Sequence, residues 1–271
     1  METKQSVIIT GAAGGIGQAT VLKFAAKQFN ITLVDQDEET LQQLAVTIAR
    51  EYNAASLICA GDLAEMEFLH AVVTESELTW GSIDILVNNA AWRTIETMRT
   101  MEVAVWEKTL RVCLTAPAFL SKLVASVMEK QSRPGVIINI SSVMSERAAG
   151  YSPAYISAKG AIEGLTRELA VTYGRSGIRV VSVSPGFVDT EMSRDYTNDS
   201  GINTSASLTN DLVGSIPLAR PGSTEEIAAA IYWLASKEAS YITGTNILID
   251  GGLKHNFNDY AVKKLQFPEE F

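Results

Sequence analysis

Short apolar runs and longer amphipathic stretches alternate along this chain. The apolar runs are at 7–10, 31–34, 56–59, 83–87, 136–140, 178–183 and 246–249. They are rich in β-branched residues and show little polar alternation, which predicts strands buried on both faces. Between them, apolar positions recur at helical spacing over 15–28, 38–51, 65–79, 102–130, 153–174 and 224–236. The last stretch opens S-T-E-E, with Ser223 and Glu226 at the offset of a capping box. Seven strand-like runs separated by helices predict an α/β fold, a doubly wound parallel sheet covered on both faces. No internal repeat, low-complexity tract or linker intervenes, so residues 1–253 read as one domain. Two segments break the rhythm. Residues 187–216 lack strand or long-helix periodicity and read as a long functional loop. Residues 254–271 read as a polar tail packed on this or a neighbouring subunit.

Composition narrows the function. The chain has 271 residues, 46% hydrophobic, with a net charge of −9. Such an acidic surface repels phosphate backbones and anionic lipid, so neither nucleic acid nor membrane is an expected partner. No apolar run approaches the ~20 residues that span a bilayer, and the opening M-E-T-K-Q-S-V-I-I-T has no secretion signal. Cys59 and Cys113 make no disulfide framework, and His70 and His255 match no metal spacing. A cytoplasmic setting is expected.

The first run is followed by T-G-A-A-G-G-I-G, residues 10–17, and then by a helix. Between a strand and a helix, such a loop suits a dinucleotide pyrophosphate. Gly11 permits the turn, Gly15 lets backbone approach the anion, and Gly17 lets helix and strand pack closely. The helix N-terminus offers free N–H groups and partial positive charge. Asp35 ends the second run, 18 residues beyond Gly17, where an acidic side chain accepts from ribose hydroxyls. Asp37, Glu38 and Glu39 add negative charge, and no arginine lies between Gly11 and Ala49. A 2′-phosphate would meet repulsion there, so NAD is expected over NADP. The plain alternatives are a helix cap for Asp35 and a solvated first turn for the others.

Tyr155 and Lys159 are spaced to share one helix face. Chance supplies this spacing readily in a chain with 8 tyrosines, and Tyr260 and Lys264 repeat it in the tail. Context separates the pairs. Upstream of Tyr155 lies V-I-I-N-I-S-S, an apolar run ending in Ser141 and Ser142. The carboxyl ends of parallel strands are where ligands bind. Hydride transfer at a carbonyl carbon needs a proton at its oxygen. A lysine ammonium and a cationic nicotinamide both favour the phenolate, and a serine hydroxyl can hold the substrate oxygen.

These residues resemble the short-chain dehydrogenase/reductase family over roughly 5–252. The matching pieces are T-G-A-A-G-G-I-G, Asp62-Leu63, N-N-A at 88–90, N-I-S-S at 139–142, Y-I-S-A-K at 155–159, P-G-F-V-D-T at 185–190 and I-D-G-G at 249–252. The resemblance implies a Rossmann-like fold. It implies that Ser142 orients the substrate, Tyr155 is the acid/base, and Lys159 holds the ribose and lowers the tyrosine pKa. It further implies cofactor contacts from Asp62 near adenine, Asn88 by the ribose and Thr190 at the carboxamide, and from Leu63 and Ala90 of the same motifs. Pro185 and Gly186 belong to that last motif, and Ile16 and Val188 would contribute mainly backbone. By the same resemblance the oligomer is a homotetramer, or a homodimer, built through the helices at 102–130 and 153–174.

Two positions depart from the family pattern. Ala91 stands where N-N-A-G has glycine, at a cost if the backbone there needs positive φ. Cys113 stands where the family has an asparagine that helps hold a water linking the lysine to solvent. Cysteine is a poor hydrogen-bonding substitute, although solvent can reach Lys159 another way. No base identifiable near Cys113 would make it a nucleophile.

Trp92, Arg93, Met144, Arg147, Tyr151 and Met192 adjoin the matched motifs and are candidate substrate contacts. The arginines suit an anionic or polyhydroxylated substrate, or else lie in solvated loops. The expected function is an NAD-dependent oxidoreductase of secondary alcohols, sugars or polyols. The competing readings are a dinucleotide-binding regulator with little turnover and a 3-oxoacyl thioester reductase.

Overall fold

The computed structural model describes residues 4–197 and 200–271. Seven parallel strands form one sheet: β1 (Ser6–Thr10), β2 (Asn30–Asp35), β3 (Ser56–Ala60), β4 (Ile85–Asn88), β5 (Gly135–Ile140), β6 (Ile178–Pro185) and β7 (Asn246–Ile249). Their order is β3-β2-β1-β4-β5-β6-β7. The order reverses at β1, which pairs with both β2 and β4. A crevice therefore opens beyond the carboxyl ends of β1 and β4, the usual ligand position in open α/β sheets.

The lack of polar alternation has a direct cause, because successive residues of each central strand serve two cores. Ile9, Leu33, Val87 and Ile138 join α1 (Gly15–Ala25), α2 (Glu38–Tyr52) and α8 (Thr224–Ala235) on one face. Ile8, Val34, Leu86 and Ile137 join α3 (Met66–Trp80), α5 (Ala116–Lys130) and the end of α6 (Pro153–Tyr173) on the other. The capping box of α8 is formed as the sequence predicts, with Ser223 Oγ accepting from the Glu226 N–H.

Three expectations need correction. The stretch 102–130 is not one α-helix. It divides into α4 (Val103–Leu110), a π-helical turn at Arg111–Thr115, and α5. Pro117 has no N–H to give the carbonyl four residues earlier, that of Cys113, so α-helical pairing fails there. Residues Val103–Lys130 are also long and apolar enough by composition to cross a membrane, contrary to the run-length reading. Half of that window is buried inside the protein, and its apolar side chains are core contacts such as Leu120, Val124 and Met128. Finally, the stretch 187–216 contains a helix, α7 (Ser205–Ser215). Its Ser, Thr and Asn residues have low helix propensity and mask the spacing of Leu208 and Leu212.

The tail carries a short helix, α9 (Tyr260–Gln266), which lies against α7 of the same chain. Asn256 Nδ2 donates to the Ser215 carbonyl at 2.7 Å, and Ser215 Oγ donates to Asp259 at 3.3 Å. Tyr260 packs on Phe271, with Lys263 rather than Lys264 over its ring. The second tyrosine–lysine pair is thus part of a surface cluster away from the strand ends.

Candidate active site

The glycine loop is held by side chains from the strand beside it. Asn89 Nδ2 donates to the carbonyls of Thr10 and Gly11 at 2.9 and 3.0 Å. Thr10 Oγ1 accepts from the N–H groups of Asn89 and Ala90, both at 3.0 Å. Gly11 has φ +65°, and a Cβ there would lie 2.7 Å from Ala90 Cα. A Cβ on Gly17 would lie 1.9 Å from the Gly11 carbonyl oxygen. Helix and loop are in contact, so the start of α1 reaches the crevice only with glycine at both positions. Asp35 is tied to the same loop, its Oδ2 accepting from the Ala13 N–H at 3.1 Å. Asp37 is the residue that caps α2; bonds from Thr40 hold its carboxyl below the usual range.

Beyond the strand ends lies a cavity of about 750 Å³. Its walls join the two ends of the sequence analysis. Gly11, Gly15, Ile16, Asp35 and Ala90 line one end. Ser142, Met144, Arg147, Tyr151, Tyr155, Lys159, Arg93 and Met192 also line it, together with Pro185, Gly186, Val188 and Thr190. Leu63 and Trp92 line a smaller neighbouring cavity of about 80 Å³, with Gly11 and Asp35.

Two expected cofactor contacts line neither cavity. The Asn88 side chain is buried between sheet and helix, where its amide donates to Asn139 Oδ1 at 2.8 Å and Ser121 Oγ at 3.2 Å. In a strand, alternate residues face opposite sides, so Asn89 rather than Asn88 faces the loop. The Asp62 carboxylate accepts from the Ala64 N–H at 2.9 Å and lines neither cavity. Trp92 stacks under the Lys108 ammonium, 4.6 Å from its ring centre, outside the large cavity.

The catalytic candidates meet at the end of β5. Ser142 follows that strand, and Tyr155 and Lys159 are buried positions about one helical turn apart on α6. Burial pushes the Tyr155 phenol up from its ordinary value. Cys113 adds to the rise, while the Ser142 hydrogen bond and the Arg93 charge oppose it. Burial lowers the Lys159 ammonium from the usual lysine range. Its Nζ donates to the Ile140 carbonyl at 2.6 Å and lies 5.4 Å from the Tyr155 ring centre. In a low-dielectric site each group favours its neutral form alone, and each would favour the charged form of the other.

Several residues of the site were not singled out by sequence. Glu163 Oε1 accepts from Ser145 at 2.5 Å, Ser141 at 3.1 Å, Ser184 at 3.2 Å and Asn246 at 3.3 Å. It therefore ties the turn after Ser142 to β6 and β7. Its signal was available, since Glu163 continues the i, i+4 row of Tyr155 and Lys159. Ser152 caps the start of α6 in a left-handed conformation, φ 56°. Its Oγ donates to the Thr94 carbonyl at 2.5 Å, and its N–H to the Glu96 carbonyl at 2.9 Å. Tyr196 packs edge-on against Tyr151 across the cavity mouth. Nothing local in the sequence marks those two.

A family model described as Enoyl-(Acyl carrier protein) reductase matches residues 11–254. The chain is 35% identical over 247 residues to the short chain dehydrogenase/reductase astE of Aspergillus oryzae, covering 91% of this chain and 93% of that protein. It belongs to the short-chain dehydrogenase/reductase family. Two solved structures superimpose closely. One is 4-hydroxyisoleucine dehydrogenase complexed with NADH, with TM-score 0.82 and 31% identity, covering 92% of this chain and 98% of the other. The second is L-sorbose reductase from Gluconobacter frateurii complexed with NADPH and L-sorbose, with TM-score 0.86 and 28% identity, covering 93% and 97%. As a short-chain dehydrogenase/reductase, the protein is an oxidoreductase of a fold that binds nicotinamide dinucleotides.

Both departures from the family pattern have a structural reading. Ala91 is not among the residues with positive φ, so its methyl group brings no backbone strain. Cys113 is fully buried within the π-helical turn. Its Sγ accepts from the Trp92 N–H and donates to the Trp92 carbonyl, both at 3.3 Å. The thiol thus fastens the loop after β4 to the long helix. Cys59 is the other free thiol; burial and the adjacent Glu75 push it up to about 12, so it is not a nucleophile near neutral pH. Among the described residues there is no cluster of groups that could hold a metal ion.

Proposed function

We propose that this protein is an NAD-dependent dehydrogenase or ketone reductase, acting on a small secondary alcohol or its ketone. The observation that carries this reading is one cavity lined by Ser142, Tyr155 and Lys159 together with the glycine loop and Asp35. The residues fit a dinucleotide. Glycine at 11 and 17, where a Cβ would strike neighbouring backbone, lets the start of α1 reach the cavity with its free N–H groups, and Asp35 presents a carboxylate for hydroxyls. The nicotinamide, when bound, supplies the hydride acceptor or donor.

The chain supplies the rest. Tyr155 takes the proton from the alcohol oxygen in oxidation and returns it to the carbonyl oxygen in reduction. Ser142 holds that oxygen by hydrogen bonding. Lys159, charged, lowers the cost of the phenolate, and its ammonium can also bind ribose hydroxyls. NAD is favoured over NADP because Asp35 and Asp37 both line the cavity, and a 2′-phosphate beside them would be repelled. Apolar side chains on α4, α5 and α6, such as Val103, Phe119 and Val171, are exposed in the single chain. They support a homotetramer or homodimer through those helices, whose size light scattering measures. Two buried free thiols suit a reducing, cytoplasmic setting.

The name of the matched family model favours a second reading, a reductase of carrier-bound acyl groups. A net charge of −9 opposes docking of an acidic carrier. The test is a screen of alcohols, sugars and acyl thioesters with NAD(H) and NADP(H), followed by absorbance. We expect NAD-linked turnover of a small alcohol, a Tyr155→Phe loss of roughly 10²–10⁴-fold, and NADH binding kept in that variant. Tyr260→Phe should leave turnover unchanged. Undiminished turnover in Tyr155→Phe would refute the assignment. Asp35→Ala should shift preference toward NADP; an unaltered NAD/NADP ratio would remove that argument.

A further inference from the structure

Arg93 sits in the loop after β4, yet its side chain is only 6% exposed. Its Nη2 is fully used, donating to the Met192 carbonyl at 2.5 Å and to Asp195 Oδ1 at 2.9 Å. The guanidinium carbon lies 5.1 Å from the centre of the Tyr196 ring. Its Nη1 is buried and has no acceptor among the described residues. An unpaired buried donor on a charged group is costly, so a site that keeps one calls for an acceptor.

The side chain that carries this donor is at the substrate end of the cavity. Arg93 lines it beside Tyr151 and Tyr155, and its charge acts on both phenols. The loop is fixed from two sides. Ser152, at the start of the helix bearing Tyr155, holds the carbonyls of Thr94 and Glu96. Cys113 holds the backbone of Trp92. The guanidinium is thereby registered against the reacting residues rather than free to swing. Asp195, its carboxylate partner among the described residues, is 49% exposed and occupies only the Nη2 side. Met144, Met192 and Leu212 line the same cavity and suit an apolar spacer.

We propose that Arg93 determines specificity by holding an anionic group of the substrate, a carboxylate, through Nη1. The substrate is then a hydroxy acid or the matching keto acid, with an apolar segment between the reacting carbon and the carboxylate. This rests on the oxidoreductase reading above and adds the substrate class to it.

The test compares short hydroxycarboxylates with their methyl esters, using NAD and the intact protein. Wild type should favour the acid over its ester roughly 10–100-fold in kcat/KM, the size of one charge-assisted hydrogen bond. Arg93→Met should lose that margin, the acid falling further than the ester. Arg93→Lys keeps the charge without the fork and should fall between them. A second measurement does not need turnover. Hexanoate, titrated into the protein with NADH and followed by NADH fluorescence, should saturate with wild type and not with Arg93→Met. Asp195→Asn, which removes a nearby negative charge, should bind hexanoate at least as tightly as wild type. Melting curves check that each variant is folded, and Asp195→Asn stands in if Arg93→Met is not. Equal use of acid and ester by wild type, or hexanoate binding unchanged by Arg93→Met or weakened by Asp195→Asn, would overturn the proposal. Turnover of neutral alcohols with no acid preference would overturn it while leaving the oxidoreductase reading intact. Hexanoate binding with no turnover of any substrate would do the reverse.

Discussion

Each group at the reaction end is set by what its neighbours leave unpaired or keep dry. Tyr155 is buried and displaced toward the phenol, whereas Ser142 and Arg93 both favour the phenolate. Cys113 shows how a residue type changes the question. A thiol cannot do an asparagine's hydrogen bonding, but the π-helical turn and Pro117 leave its backbone carbonyl without an α-helical donor. A backbone acceptor is therefore present whatever the side chain is. Cys113→Asn should leave turnover close to wild type, because the carbonyl is unchanged and the new amide can still bond the Trp92 backbone. Steady-state kcat checks this; a gain of tenfold or more would mean that the thiol limits proton transfer.

At the scale of elements, short capping contacts decide where helices start. The box at α8 joins Ser223 and Glu226 reciprocally, and Arg220 adds bonds to Glu226 at 2.6 and 2.8 Å. Those Arg220 bonds, followed by the Ser223 N–H, hold the Glu226 carboxyl at about 2. Ser223→Ala should destabilise the protein by about 1 kcal/mol, read as a lower urea midpoint with an unchanged slope. The capping box was legible because it depends on four consecutive residues. Helix α7 was not legible, since its stability comes from lying over the cavity and against α9. Residue-by-residue propensity does not contain those contacts.

The whole molecule shows the cost of burying phenols for chemistry. Burial raises both Tyr151 and Tyr155 above the ordinary 10.0. Above that pH the unfolded chain loses these protons while the native protein keeps them, so stability falls as pH rises. Lys159 acts in the opposite sense, since burial lowers it below 10.5 and the native state gives up its proton first. Urea unfolding across the alkaline range should show wild type losing stability above pH 10.0. A variant with Tyr151→Phe and Tyr155→Phe should lose less; parallel curves would contradict the burial argument. Alcohol oxidation, which needs the phenolate, should speed up with pH over the same range.

The sequence alone determined the strands, their parallel arrangement and the strand-to-helix glycine loop, and it brought forward Asp35, Ser142, Tyr155 and Lys159 as candidates. All of these are local patterns: an apolar run, a strand-to-helix turn, an i, i+4 pair. It was silent or misleading where partners come from distant segments. Asn88 reads like a site residue, but the strand turns it inward toward Asn139, 51 positions away. Arg93 reads like a solvated loop arginine, but Met192 and Asp195, about a hundred positions later, cover it. Only the closed fold decides which polar atoms lose water and which find a partner. That Nη1 has no acceptor among the described residues is a property of that enclosure, so it cannot be read from the residues on either side of Arg93.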